Sequence, residues 1–434
     1  MAFFETSLTC EQLKNRHQAA WWRTRGRRPV VGVSTDMENV TFEPHATVDA
    51  AKEWIAKTCH VVSRTTVTDV FLARSRQPVG APMMTLVVDP IRGSRGCVLK
   101  MSHTLVSHET FRIIQDFITE MARPENELGI DTVFSPETWS DIRPNLPQSL
   151  AHAYSIHYHP TPADLEEVMK IQERAQARWS RTTIGIPLHP DWQTRPTRIH
   201  SKIVKFEPEE AVAALKSMKK LGVTLTAAFF ACITSAIAQR YGSGDEEGAH
   251  LLFSGNARRW LDIEDGYGRG PITMGIIPGG MWIDSSEVDI RAKDKHGLTQ
   301  LAKAIERRQG DDLASPHVMG LYDQMAPILA QGLAQPQDPA AFPTVGRPTL
   351  TSQGPLRDDR PAGPGQIQMS DFYTGGRNTD PNVCFGLHSF RDELRYSLIF
   401  DERFFVQDEV MQLAYAVAGL FRSLIAEELV PAKL

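Results

Sequence analysis

Two histidines, His103 and His108, fall between the apolar run Cys97 to Met101 and a segment in which Phe111, Ile114, Phe117, Ile118 and Met121 recur at helical spacing. That pattern places His103 in a strand-to-helix turn. Ser107 is a predicted N-cap and Glu109 complements the first helical turn, so the imidazole stands just outside a helix N-terminus. An imidazole is the side chain that exchanges a proton near neutral pH. A spacing of five residues turns a helix by about 500°, which separates the two rings and argues against a shared metal. No metal is expected. A Gly-x-Ser-x-Gly elbow is lacking, and Gly266-Tyr-Gly268-Arg-Gly270 precedes an apolar strand without the Lys-Ser or Lys-Thr of a phosphate loop. His152, His157, His159, His189 and His200 fall on loops or strand edges and read as structural.

The elements that must hold this turn follow from periodicity. Thr9 to Thr24 predicts a helix with Leu13, Ala20 and Trp21 on its apolar side, then the basic run Arg23, Arg25, Arg27, Arg28 and a strand over Pro29 to Val33. Thr47 to Lys57 predicts a helix, and Val61 to Val67, Met83 to Val88 and Cys97 to Met101 predict strands. Residues 122–160 are Pro-rich and weakly patterned, Thr161 to Trp179 returns to a helix, and Ser180 to Thr197 is a loop. The second half predicts a strand at Thr197 to Phe206, helices at Glu209 to Leu221 and Thr224 to Tyr241, and strands at Leu251 to Ser254 and Ile272 to Trp282. A helix over Ala292 to Arg308, a Pro- and Gly-rich crossing stretch over 332–366, strands at Val383 to His388 and Leu394 to Phe400, and a helix over Gln407 to Glu428 complete the pattern. The fold class is mixed α/β (α+β). We place the boundary between two lobes at residues 190/191, with a crossover segment around 332–376.

Composition narrows the partners. A chain of 434 residues with 41% hydrophobic and 23% charged residues is neither disordered nor fibrous. With 47 Lys and Arg against 52 Asp and Glu it carries no global field for nucleic acid or an anionic membrane. The longest apolar stretch, Leu225 to Ala238, falls short of the roughly 20 residues that span a bilayer. Five scattered cysteines without a CxxC pair, and a start that lacks a signal-peptide pattern, predict reduced thiols in a cytoplasmic protein.

The order of motifs resembles the chloramphenicol-acetyltransferase-like superfamily, which includes BAHD acyltransferases, peptide-synthetase condensation domains and fungal trichothecene O-acetyltransferases. His103-Thr-Leu-Val-Ser107-His108 is similar to its His-x-x-x-Asp-Gly turn, Phe253-Ser-Gly-Asn256-Ala-Arg258 to its Asn-x-Arg strand, and Asp371-Phe-Tyr-Thr-Gly375 to its Asp-Phe-Gly-Trp-Gly motif. Ala20 to Arg25, Gly222 to Phe230 and Thr349 to Gly354 are similar to the early helix, the apolar helix of the second lobe and the crossover segment. The resemblance implies two lobes of similar topology with a tunnel between them. It implies His103 as general base, acyl-CoA as co-substrate with no tightly bound cofactor, and Thr351 and Ser352 hydroxyls as oxyanion or substrate contacts. A monomer acting on a small molecule is expected.

Two departures matter. The motif Asp is Ser107 and the Gly is His108, so Arg258 lacks its usual carboxylate and is expected to meet a substitute acid or a solvent-filled space. The segment ahead of the first helix also reads as lacking the usual strand. Two functions therefore stand: an acyl-CoA-dependent O-acyltransferase, most readily an acetyltransferase, acting on a secondary metabolite; or a cofactor-free cyclase, such as a Diels–Alderase of terpenoid or polyketide biosynthesis, that reuses the cavity and needs shape rather than a base. For the phosphates of CoA, the candidates are the Arg23 to Arg28 run, Lys202 and Lys205.

Overall fold

A computed structural model of the chain describes residues 1–35, 40–77, 80–103, 105, 109–146, 149–179, 181–261, 276–312, 315–317, 319, 344–358, 360 and 366–429. It divides into two compact units, the first made of Met1–Ala153 and Arg357–Thr374, the second of Tyr154–Trp260, Ile276–Leu356 and Gly375–Leu434. A single cut at residue 190 does not describe this division. Residues 154–190 join the second unit because Arg178 donates to the Gly280 carbonyl and the Ile184 amide to the Gly248 carbonyl. Residues 357–374 return to the first unit because they supply it with a strand.

In the first unit, β13 (Ile367–Phe372), β1 (Ala2–Thr6), β6 (Ser94–Lys100), β5 (Met83–Asp89) and β4 (Cys59–Val62) form a sheet in that order, antiparallel except for β4 beside β5. A strand thus does precede the first helix, contrary to expectation: alternate residues Ala2 and Phe4 are buried, and five residues of β1 pair with β13. The short hairpin of β2 (Val33–Thr35) and β3 (Val40–Phe42) lies apart. Pro29 to Gly32, predicted as strand, is a 3-10 turn, since Pro29 at its first position has no N–H to give a ladder. Gly32 is required there, because a Cβ would fall on the Arg25 guanidinium and the Phe42 ring.

The helices of this unit are α1 (Cys10–Arg27), α2 (Val48–Thr58), α3 (Val67–Ser75), α4 (Glu109–Ala122), the single turns α5 (Ile130–Val133) and α6 (Trp139–Ile142), and α7 (Leu150–His157), within which the division falls. Thr9 and Gln12 close a capping box on α1, and Thr47 caps α2. Val67, predicted to end a strand, instead starts α3, because Thr66 and Asp69 form a second box. Trp21 stacks on Trp54 at 5.9 Å and donates to the Thr58 hydroxyl at 3.1 Å, which locks α1 to α2. Beside it the buried Arg25 guanidinium lies 4.4 Å from the Phe42 ring and 4.6 Å from Trp54, and makes a two-pronged pair with Glu137 at 2.8 and 3.0 Å.

The second unit has a six-stranded sheet in the order β10 (Ile276–Asp284), β9 (Gly248–Asn256), β12 (Pro348–Leu356), β14 (Val383–Phe390), β15 (Glu393–Asp401), β8 (Ile199–Phe206). The pairs β9/β12 and β12/β14 are parallel and the others antiparallel; β7 (Ile186–Pro187) and β11 (Val345–Gly346) pair separately. One face carries α9 (Pro208–Leu221), α10 (Leu225–Tyr241), α11 (Lys295–Asp312) and α12 (Gln407–Leu429), while α8 (Pro162–Trp179) reaches β10 through Arg178. Phe206, Phe229, Phe385, Tyr396 and Phe421 fill the space between helices and sheet. By length and composition α12 could cross a bilayer, but Leu413, Val417, Phe421 and Leu424 are buried in this core.

Removing the carboxylate of Glu137 leaves Arg25 charged among aromatic rings without its partner. Glu137→Ala is expected to destabilise the protein by about 3–5 kcal/mol in urea unfolding. A change below about 1 kcal/mol would mean that the rings and the Glu43 carbonyl suffice to hold the guanidinium.

Candidate active site

His103 stands where the sequence places it. Strand β6 ends at Lys100, the Leu105 amide donates to the Ser102 carbonyl at 3.1 Å, and Leu105 is buried as the anchor of the turn. The His103 ring is exposed on that turn, and α4 begins at Glu109. Thr104, Val106, Ser107 and His108 lie outside the described residues, as does the side chain of Arg258. The expected cap at Ser107 and the substitute acid for Arg258 therefore fall there as well. Asn256 is the last residue of β9, followed by the 3-10 turn Ala257–Trp260.

The helix behind His103 is held along its whole length. Arg28 pairs with Asp116 at 2.7 Å, Arg27 with the buried Glu120 at 2.8 Å, and Arg16 donates to the Met121 and Ala122 carbonyls at 3.4 and 3.1 Å. Gln115 donates to the Arg357 carbonyl at 3.0 Å, and Phe111 meets Phe372 edge-on at 4.8 Å, so α4 also binds the returning segment. Arg25, Arg27 and Arg28 are thereby committed to Glu137, Glu120 and Asp116. Of the other proposed phosphate contacts, Lys202 lies 5.1 Å from the Tyr415 ring and Lys205 4.0 Å from Glu393.

Asp371 is the penultimate residue of β13 and accepts from the Tyr373 hydroxyl at 2.5 Å. Tyr373 stands at the first glycine position of the Asp-Phe-Gly-Trp-Gly motif that this segment resembles and is buried, so this carboxylate is engaged within its own strand end. Gly375 is exposed and already belongs to the second unit.

Thr351 and Ser352, expected to act together, point to opposite faces of β12. The Thr226 hydroxyl, on the first turn of α10, donates to Ser352 Oγ at 3.0 Å, on the helix side. Thr351 instead meets Ser254 of β9 at 3.4 Å on the other face. At most one of them can serve a single ligand atom. That other face also carries His250, which the reading of β9 as a short apolar strand overlooks. The alternation His250, Leu252, Ser254, Asn256 against Ala249, Leu251, Phe253 was the signal for it. Burial, together with the charges of Arg347 and Arg178, holds the His250 imidazole well below its usual range, at about 3, and burial pushes Arg347 down to about 10.

No metal-binding group of His, Cys, Asp or Glu occurs among the described residues. All five cysteines are free thiols. Burial pushes Cys97 and Cys384 up to about 12, and raises Cys59 and Cys232 further still, so these four are poor nucleophiles.

No family model matches the sequence. The chain is 27% identical to an acyl-CoA-dependent acyltransferase, MAC2 of Pseudozyma antarctica (strain T-34), over 96% of this chain and 90% of that protein. It is 20% identical to the acyl-CoA-dependent acyltransferase MAC1 of Mycosarcoma maydis, over 94% of this chain and 78% of that one. Its structure superposes on TRI3 trichothecene 15-O-acetyltransferase of Fusarium sporotrichioides with a TM-score of 0.78 at 15% identity, covering 98% and 89% of the two chains. It superposes on the first condensation domain of the CDA synthetase with a TM-score of 0.57 at 10% identity, covering 99% and 90%.

The His250 environment has a measurable consequence. Below about pH 6.5 the unfolded chain takes up a proton that the folded chain refuses until about pH 3, so stability falls as pH drops through that window. Between pH 7 and pH 4, His250→Gln is expected to lose about 2–3 kcal/mol less than the parent in urea unfolding. Parallel stability curves for the two proteins would contradict this.

Proposed function

We propose that this chain is an acyltransferase of the chloramphenicol-acetyltransferase-like superfamily and that it transfers an acyl group from acyl-CoA to a hydroxyl of a small secondary metabolite, with His103 as general base. The observation that carries this is the exposed imidazole on a braced strand-to-helix turn, in a chain whose near full-length relative is named an acyl-CoA-dependent acyltransferase. That relationship favours transfer over the cyclase alternative.

The chemistry needs no covalent enzyme intermediate. Neutral His103 takes the proton of the acceptor hydroxyl as its oxygen attacks the thioester carbonyl. The tetrahedral intermediate then expels the CoA thiolate, the C–S bond breaks, and the imidazolium returns the proton to sulfur. An acyl ester and free CoA leave, and His103 is again neutral. Acetyl is the donor we favour, by analogy with the acetyltransferase whose fold the chain shares. Contacts to the developing oxyanion come from donors placed ahead of the reaction, and because Thr351 and Ser352 face opposite ways, one hydroxyl rather than two fills that role.

The test is thiol release from acetyl-CoA in the presence of an alcohol panel, together with calorimetric binding of CoA. His103→Ala is expected to lower kcat about 10²- to 10⁴-fold while leaving CoA affinity within about twofold, since the base acts on the acceptor proton. Undiminished turnover in that variant would remove His103 from the chemistry. Absence of acyl-CoA binding at millimolar ligand would overturn the donor assignment.

A further inference from the structure

Gly386 sits in β14, an interior strand of the second unit's sheet, between Phe385 and Leu387, which are both buried in the core. Its own position faces the other way, toward the sheet side that carries no core helix. In register it pairs with Thr351 on β12 and Ser397 on β15, and Thr351 in turn meets Ser254 on β9. Four strands therefore present one row: Ser254, Thr351, Gly386, Ser397.

Glycine in the middle of a strand weakens it, so the missing side chain needs a reason. Elsewhere in this sheet the reason is packing: a Cβ on Gly279 would strike the Phe253 ring at 2.5 to 2.9 Å. At Gly386 it is different. Among the described residues, a Cβ there would meet only Ser397, with Oγ at 2.6 Å and Cβ at 3.9 Å. No other atom of the described residues lies within 4 Å of that Cβ position, and the glycine itself is partly exposed although it lies in an interior strand. Ser397 is only 2% exposed, and its hydroxyl, which leans over this opening, has no hydrogen-bond partner among the described residues. A nearly buried hydroxyl held over an open notch without a partner is a group waiting for a ligand or a water.

We propose that the notch over Gly386 is a subsite for an uncharged oxygen-bearing group of the acceptor, a second hydroxyl or a carbonyl, bound by Ser397 with Thr351 and Ser254 at its side. Each of these hydroxyls can both donate and accept, so either kind of oxygen is served. No charged side chain stands in the row, and the nearest cation along β15, Arg395, is engaged by the Phe390 carbonyl and by Glu393 at 2.6 Å. An anionic group would lose its hydration there without a counter-charge. Gly386 sets the size limit: any side chain at 386 fills the place that the ligand oxygen takes. Only the word acceptor rests on the acyltransferase reading; the binding of such a group does not.

The test uses ligand-observed NMR titration of the full chain with 1,2-hexanediol and 1-hexanol, which differ by one oxygen. The parent is expected to bind the diol at least about fivefold more tightly than the alcohol. Ser397→Ala, which removes only an unpartnered hydroxyl, is expected to keep its melting temperature and to erase that preference. Gly386→Val, which fills the notch, is expected to weaken the diol to the level of the alcohol. Should Gly386→Val fail to fold, Ser397→Ala alone decides the matter. Equal affinity of the parent for the two probes, the result if the notch holds only water, would overturn the proposal. So would a preference that survives Ser397→Ala. Neither readout requires turnover, so failure of acyl transfer and failure of the subsite are separate results.

Discussion

The grip of α1 on α4 is the constraint on which the His103 turn depends. Arg16, Arg27 and Arg28 reach α4 at its C-terminal carbonyls, at Glu120 and at Asp116, over the C-terminal half of the helix. A slide of one residue along the helix axis, about 1.5 Å, would break these bonds together. Glu120 is buried, so its charge would be left in a poor solvent. The apolar stripe of α4 allows many small adjustments, but the ion pairs admit one register. His103 and the buried Leu105 lie just ahead of α4 in the chain, which is why the register of that helix bears on the proposed site. Arg27 and Arg28, which a first reading offers to a phosphate, are thus parts of the frame that holds α4.

The second unit works differently. Its sheet has one apolar face, covered by four helices, and one polar face on which hydroxyls, His250 and a glycine gap alternate with the core side chains. The core side fixes the strands and leaves the other side free to vary in chemistry. Phe385 and Leu387, both buried, hold the backbone of β14 on either side of Gly386. The separation of Thr351 from Ser352 follows from the same geometry, since adjacent residues of a strand cannot share a face.

Much of this was legible in the sequence. His103, the stripe of α4, and helices α1, α9, α10 and α12 all follow from local periodicity and caps, and local rules suffice for them. The capping box of Thr66 and Asp69 was present but was hidden by the β-branched run before it. Other features have no local signature. Strand β13 joins the first unit by pairing with β1 across more than 360 residues, and Arg25 finds Glu137 at a separation of 112. Neither partner announces the other, so the assignment of residues 357–374 and the fate of the basic run could come only from three dimensions. The polar face of the second sheet was legible in part, in the alternation of β9, but only if the strand is read to its full length.

The central claim is that the α1–α4 ion pairs position His103 for catalysis instead of merely stabilising the fold. The most direct measurement is kcat and KM for acyl-CoA turnover in the double variant Asp116→Asn/Glu120→Gln, at a temperature where it is fully folded. The account predicts a kcat lower by about tenfold with KM for acyl-CoA within about twofold, since a displaced base loses orientation but not donor binding. An unchanged kcat in a protein whose melting temperature has dropped would contradict it and leave these pairs with a purely structural role.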